Sequence, residues 1–283
     1  MRQALVLGGG GVVGVAWETG VVAGLLDAGV DLRAAEAIVG TSAGSMVGTR
    51  LAAGRDVRVE RRGVAIPARE GGPDVAALQQ VFGRWTKAER VDHAFLCEIG
   101  ALAASAKTID EASWIAATGG SVGVDDWPHD RLRLVAVDVE DGRVRAHDRA
   151  SAAPLDRAIA ASCAVPGLFP PISIHGRRYM DGGVRSGTSA DLLLPDEPEV
   201  VVIVAPLTRA ATAIGGLAER CLAHEVEALE RAGARVFNVL PNEADVAAFG
   251  PNLMDEGRAQ SGREAGVARG RALAKTLRGV WMS

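Results

Sequence analysis

Ala37-Ile38-Val39-Gly40-Thr41-Ser42-Ala43-Gly44-Ser45-Met46-Val47-Gly48 carries a Gly-x-Ser-x-Gly motif at the end of a short apolar run. The run 37–39 predicts a strand, Gly40 to Gly44 a tight turn, and residues from about Ala43 to Ala53 a helix. A serine on a sharp strand-to-helix turn exposes its oxygen. The small residues beside it, Gly40 and Gly44, permit the strained backbone such a turn needs. The helix that follows points unpaired N–H groups toward charge developing at the serine. Ser42 is therefore the candidate nucleophile. The plain alternative is a small-residue packing turn. Ser45 also follows a glycine, but it lies one turn inside the helix and is a poorer candidate.

Working outward toward the N-terminus, Gln3 to Leu7 reads as a buried strand, and Gly8-Gly9-Gly10-Gly11-Val12-Val13-Gly14 breaks it. Trp17, Val21, Val22, Leu25 and Leu26 then fall at helical spacing, with Gly29 as the stop. Two readings fit the glycine run. Gly9-x-Gly11-x-x-Gly14 matches a dinucleotide fingerprint, with Asp27 or Asp31 as the ribose acid. Alternatively, the amides of Gly9, Gly10 and Gly11 form an oxyanion hole, free of side chains that would obstruct a carbonyl. In a parallel sheet this loop and the Ser42 turn both emerge at the carboxyl ends of their strands. A serine elbow on the very next strand favours the oxyanion reading.

Toward the C-terminus, helices are predicted over Val75 to Trp85, near Ala94 to Ala106, and near Asp110 to Ala117. Arg131 to Val139 and Arg143 to His147 read as a hairpin across Asp141-Gly142. A helix at Leu155 to Ser162 leads to strands at Ile172 to Ile174 and Arg177 to Met180. Glu199 to Ala205 is the clearest buried strand. A helix lined by Leu217, Leu222 and Leu229, a strand at Arg235 to Leu240 and a long helix from Asp255 to Leu277 complete the chain. Strands alternating with helices at both ends predict an α/β fold with a mostly parallel central sheet. No repeat or linker divides the chain, so the expectation is a single domain, 1–283, with a helical cap at about 74–120. Trp85, Phe95, Leu96, Trp114 and Ile115 are candidates to line an acyl pocket there, although ordinary core explains them as well.

Tyr179-Met180-Asp181-Gly182-Gly183 ends a strand with an acid. A carboxylate within reach of Ser42 takes its proton directly, and desolvation would raise its pKa toward that of a useful base. By itself the segment is also an ordinary Asp-Gly turn. A histidine-based triad of the α/β-hydrolase kind is the competitor. Several strands precede the serine in that fold, whereas here Ser42 follows only strand–helix–strand. His224 has the required place in chain order, but it falls on the polar side of its helix beside Glu225 and reads as solvated.

Together, the glycine loop, Gly40-Thr41-Ser42-Ala43-Gly44, Asp181-Gly182-Gly183 and the stretch Ala161-Ser162-Cys163-Ala164-Val165-Pro166-Gly167-Leu168-Phe169-Pro170-Pro171 resemble the patatin-like phospholipases in order and spacing, over residues 4 to about 185. The resemblance implies a patatin-like three-layer α/β sandwich. It also implies a serine acyl hydrolase acting on phospholipid, lysophospholipid or neutral acyl esters, with Ser42 as nucleophile, Asp181 as base, and neither metal nor cofactor. Val13 stands where that family commonly carries Arg or Lys, which favours less charged esters or lysolipids. A catalytically silent scaffold that binds lipid or a protein partner is the remaining alternative.

Composition bounds the rest. A formal charge of −4 and a pI near 5.8 argue against a nucleic-acid partner. With aromatics at 4 %, the core must be built from Val, Leu, Ile and Ala. Cys97, Cys163 and Cys221 have no CxxC spacing, so free thiols are expected rather than a disulfide framework or zinc site. No apolar run is long enough to cross a membrane, and cytoplasmic residence is the default expectation. Arg55, Arg58, Arg61 and Arg62 read first as a solvated loop face; the alternatives are that they replace the cation missing at Val13 or touch anionic membrane. Nothing in the sequence speaks to oligomeric state.

Overall fold

In a computed structural model, which describes residues 2–59, 70, 72–209 and 215–281, eight strands form one sheet. They are β1 (Gln3–Leu7), β2 (Ala37–Thr41), β3 (Leu132–Asp138), β4 (Val144–His147), β5 (Ile172–Ile174), β6 (Arg177–Asp181), β7 (Val200–Val204) and β8 (Arg235–Val239). The helices are α1 (Gly11–Asp27), α2 (Ala43–Ala52), α3 (Val75–Lys87), α4 (His93–Ser105), α5 (Glu111–Ala117), α6 (Leu155–Ser162), α7 (Gly215–Arg231), α8 (Glu243–Phe249) and α9 (Ala259–Trp281). Strands β3, β2, β1, β7 and β8 run parallel, while β4, β5 and β6 pair antiparallel. The expected α/β class with a mostly parallel sheet is what the chain adopts.

The sheet is covered on both faces, which is why its strands read as continuous apolar runs. Alternation along β1 divides the core. Leu5 and Leu7 face a layer that includes Val13, Trp17 and Leu51, whereas Ala4 and Val6 face Leu193, Leu222 and Leu229. A third cluster joins Val81, Trp85 and Ile99 to Val137 and Met180 beside the sheet. Helices α3, α4 and α5 each begin on an aspartate whose side chain accepts a backbone N–H, at Asp74, Asp92 and Asp110. Such caps satisfy donors that the first helical turn leaves open.

Two elements differ from the sequence expectation. Helix α1 starts at Gly11, directly in the glycine run, not at Trp17. Its residues 12–14 and 17–25 are all buried, so no polar face exists for a periodicity to reveal. Helix α8 was not anticipated, although Asn242 and Asp245 form a reciprocal capping box at its start. The loop Arg55 to Pro73 lies largely outside the described residues. Among the described residues, Arg55 donates to Gly123 O and Arg58 pairs with Asp56. Arg61 and Arg62 lie outside them. The three cysteines are free thiols. Among the described residues no helix is long and apolar enough to cross a membrane.

Helix α9 lies across α1 through glycines on both. A Cβ added at Gly266 would stand 2.2 Å from Trp17 O, and one at Gly270 equally close to Val21 O. We expect Gly266→Ala to destabilise the fold by about 1–3 kcal/mol, because main chain has no room to yield. Gly279→Ala, with nothing within 4 Å, should instead stabilise by up to about 1 kcal/mol through helix propensity. Urea denaturation of the two variants measures both.

Candidate active site

The register of β3 places the site. Strand β2 ends with Thr41 opposite Val135, and Asp181, the last residue of β6, stands opposite the next residue, Ala136. Strand β4 occupies residues 134–137 along the other edge of β3. Strands β2 and β6 therefore share one edge, and their C-terminal ends meet there. Ser42 and Asp181, far apart in sequence, become neighbours because the two strands approach that point from opposite directions.

Ser42 has φ 51° and ψ −116°, a left-handed φ that costs a non-glycine residue about 1–3 kcal/mol. Several contacts hold it there. Ser162 Oγ accepts the Ser42 N–H at 3.0 Å. The Ser42 carbonyl accepts from the Ser45 N–H at 2.9 Å, the Ser45 hydroxyl at 2.6 Å and the Cys163 thiol at 3.3 Å. Gly44 donates its N–H to Gly8 O at 2.9 Å. A Cβ at Gly44 would lie 2.0 Å from Leu7 O, so only glycine lets the elbow approach β1 this closely.

Asp181 is buried, and its main-chain N–H donates to Ala164 O at 2.9 Å. Its Oδ1 accepts the Gly183 N–H at 2.7 Å. The Ser42 hydroxyl is near enough to favour the ionised carboxyl, yet Oδ2 is buried without a partner in good hydrogen-bond geometry. Such loose alignment is common before substrate binds. Burial outweighs the Gly183 and Ser42 contacts and pushes the carboxyl up to about 7. Asp181 is thus poised to exchange a proton near neutral pH.

The glycine loop lies beside the serine: a Cβ on Gly9 would stand 3.6 Å from Ser42 Cβ. The expected set of three donors is corrected here. The Gly9 N–H donates to Gly187 O at 2.8 Å and is occupied. The amides of Gly10 and Gly11 open helix α1 and have no partner among the described residues. The N-termini of α1 and α2 both converge on Ser42 and place two partial positive charges there. The dinucleotide alternative fails on distance. Asp27 is the last residue of a helix about 25 Å long, its 17 residues rising ~1.5 Å each, and Asp31 lies beyond it. There they pair with Arg271 and Arg33.

Ser42, Asp181, Gly10 and Gly11 line a cavity of about 480 Å³. Its walls include Met46, Phe82, Trp85, Trp114, Phe169 and Leu207. Trp114 stacks on Phe169 with ring centroids 3.5 Å apart. Of the expected pocket residues, Trp85 and Trp114 reach the cavity. Phe95, Leu96 and Ile115 do not, and pack in the core instead. Arg185 is the only Lys or Arg among the described residues lining the cavity. Asp191 clasps its guanidinium with two contacts, one of 2.6 Å, and Glu225 lies 3.5 Å away. Val13 is fully buried beneath α9, against Gly262, so no cation could occupy its place. His224 is exposed and does not line the cavity. No cluster of three metal-ligating side chains occurs among the described residues.

Sequence reasoning passed over three residues here. Ser162 stands in a motif quoted for its resemblance, but its contact with Ser42 is visible only in three dimensions. Arg185 and its acids were unmarked. Glu18 is completely buried, and desolvation, which outweighs a contact with the Gly8 main chain, holds its carboxyl well above the usual carboxylate range.

A patatin-like phospholipase family model matches residues 112–194, a segment that holds Ser162 to Ala164 and Asp181. The match takes in Asp181-Gly182-Gly183 and the stretch from Ala161 to Pro171, whereas the glycine loop and the Ser42 turn lie outside it. No curated protein matches the chain. Among solved structures, VipD from Legionella pneumophila is similar at 13 % identity and a TM-score of 0.44, over 97 % of this chain and 67 % of that one.

Burying an ionised Asp181 opposes folding. A pKa near 7 in the folded chain against 3.8 unfolded means that stability falls as pH rises between those values. Above pH 7 the cost is complete, at about 4 kcal/mol. Asp181→Asn should therefore stabilise the protein by about 1–3 kcal/mol at pH 8 and by less at pH 5. Denaturant unfolding at the two pH values measures it.

Proposed function

We propose that this protein is a serine acyl hydrolase that cleaves carboxylic esters of lipids through an acyl-enzyme, with Ser42 and Asp181 as a catalytic dyad. The observation that carries the proposal is the strained Ser42 beside a buried acid whose pKa lies near neutrality, at the mouth of an apolar cavity. The match to a family of lipid acyl hydrolases supports the reaction class.

In the proposed cycle Asp181 accepts the Ser42 proton as Oγ attacks the ester carbonyl. The Gly10 and Gly11 amides stabilise the tetrahedral oxyanion, a contribution that typically amounts to about 10²–10³ in rate per donor. The alcohol takes the proton from Asp181 and leaves. Water then loses a proton to Asp181 and attacks the acyl-serine; the Ser42 oxygen leaves with that proton, the fatty acid is released and the dyad is restored. The cavity, within the ~300–1,000 Å³ usual for small-molecule sites, receives the acyl chain. Helices α3 and α5 wall it through Phe82, Trp85 and Trp114.

The lining favours an uncharged ester among the candidate substrates. Arg185 is already neutralised by two acids, and Val13 supplies no cation. An anionic head group drawn into this site would be desolvated without a partner.

Ser42→Ala should lower turnover of a 4-nitrophenyl acyl ester at least about a thousandfold while leaving the fold intact. Full activity in that variant would remove the dyad. Because Asp181 must be ionised to act, wild-type kcat/KM should rise with pH to a plateau, with its midpoint near 7. A monoacylglycerol should be cleaved about tenfold or more faster than the lysophosphatidic acid bearing the same acyl chain, reflecting the unpaired charge. Equal rates would return phospholipid to first place.

A further inference from the structure

Three consecutive residues at the end of α6 hold the main chain of both proposed catalytic residues. Ser162 accepts the Ser42 N–H, Cys163 donates to the Ser42 carbonyl, and the Ala164 carbonyl accepts the Asp181 N–H. The Ser162 side chain is completely buried. The Cys163 thiol, pushed up to about 12 by burial and by the nearby Asp181, stays protonated and remains a donor.

The two polar groups of the Ser42 backbone are not equally secured. Its carbonyl has three donors, two of them from Ser45. Its N–H lies beyond the β2–β3 ladder, whose pairing ends at Thr41 and Val135. Ser162 Oγ is the acceptor it finds among the described residues. A left-handed serine persists only where its surroundings over-determine it, and this hydroxyl is the restraint on the side facing β2.

We propose that Ser162 is a positioning residue, the anchor of a Ser162-Cys163-Ala164 clasp that holds the Ser42 hydroxyl in register with Asp181. Without it the peptide before Ser42 is free to rotate and its unpartnered N–H to turn toward other acceptors, which swings the hydroxyl away from the carboxylate. The inference rests on the dyad reading above.

The test is fluorophosphonate labelling of wild type, Ser162→Ala and Cys163→Ala, with labelled sites counted by peptide mapping. The labelling rate, kcat and KM are then measured per labelled site, alongside thermal unfolding. For Ser162→Ala a fall of about 10- to 100-fold in labelling rate and kcat is expected, with KM within about twofold, as for a nucleophile displaced by up to an ångström. For Cys163→Ala the fall should be only about 2- to 5-fold, since two donors to the carbonyl remain. A merely structural hydroxyl would lower the melting temperature and the number of sites while leaving the rate per site unchanged. That result, or equal effects in the two variants, overturns the clasp. Should Ser162→Ala fail to fold, an unchanged labelling rate in Cys163→Ala overturns it instead. A wild type that does not label at Ser42 overturns the dyad, and the clasp with it.

Discussion

Two strands end against each other on one edge of β3, and the site is a consequence of that meeting. Strand β2 runs parallel to β3 and stops at Thr41; β6 runs antiparallel and stops at Asp181, one residue further along. Side chains alternate between faces along a strand, so a slip of one residue in either pairing would send the acid or the serine to the opposite face. Close main-chain approaches reinforce the register. A Cβ at Gly182 would stand 2.5 Å from Val135 O, and one at Gly44 closer still, 2.0 Å from Leu7 O. These glycines exclude a looser arrangement because nothing larger fits where they sit.

The same packing shapes the electrostatics. Burial among Ser42, Cys163, Ala164 and Gly183 removes Asp181 from water, and the desolvation raises its pKa into the neutral range. Among the described residues no cationic partner offsets that cost, as Arg185 in the same cavity is engaged with Asp191 and Glu225. Positive potential comes instead from the first turns of α1 and α2, whose amides are fixed by the fold and need no reorganisation as charge develops. Stability surrendered at Asp181 and Ser42 is what holds the pKa of the one near neutrality and keeps the other in a strained turn facing the cavity, a trade common at functional sites.

Much of this was legible in the residues. Buried strands such as Gln3–Leu7 and the helix Leu155–Ser162 were bounded correctly, because uniform apolar runs and Pro or Gly stops are local signals. The elbow at Ser42 announced itself through small residues that a strained turn requires. Helix α1 was begun too late, since burial on all sides erases amphipathic periodicity and glycine is a poor helix former in isolation. Assigning Gly9 as an oxyanion donor failed for a different reason. Its amide is taken by Gly187, which lies far away in sequence and next to it in space.

By itself the sequence determined the candidate chemistry: a serine on a tight turn, an acid before two glycines, a glycine run at a strand end, and an α/β alternation to carry them. Each is a property of a few neighbouring residues, set by local sterics and side-chain type. Only the tertiary structure decided which amides remain free, how far Asp181 is desolvated, that Arg185 is already neutralised, and that Ser162 holds the Ser42 backbone. Those depend on contacts between segments up to 178 residues apart, Gly9 to Gly187, and on the exclusion of water by the assembled layers. No local pattern encodes either.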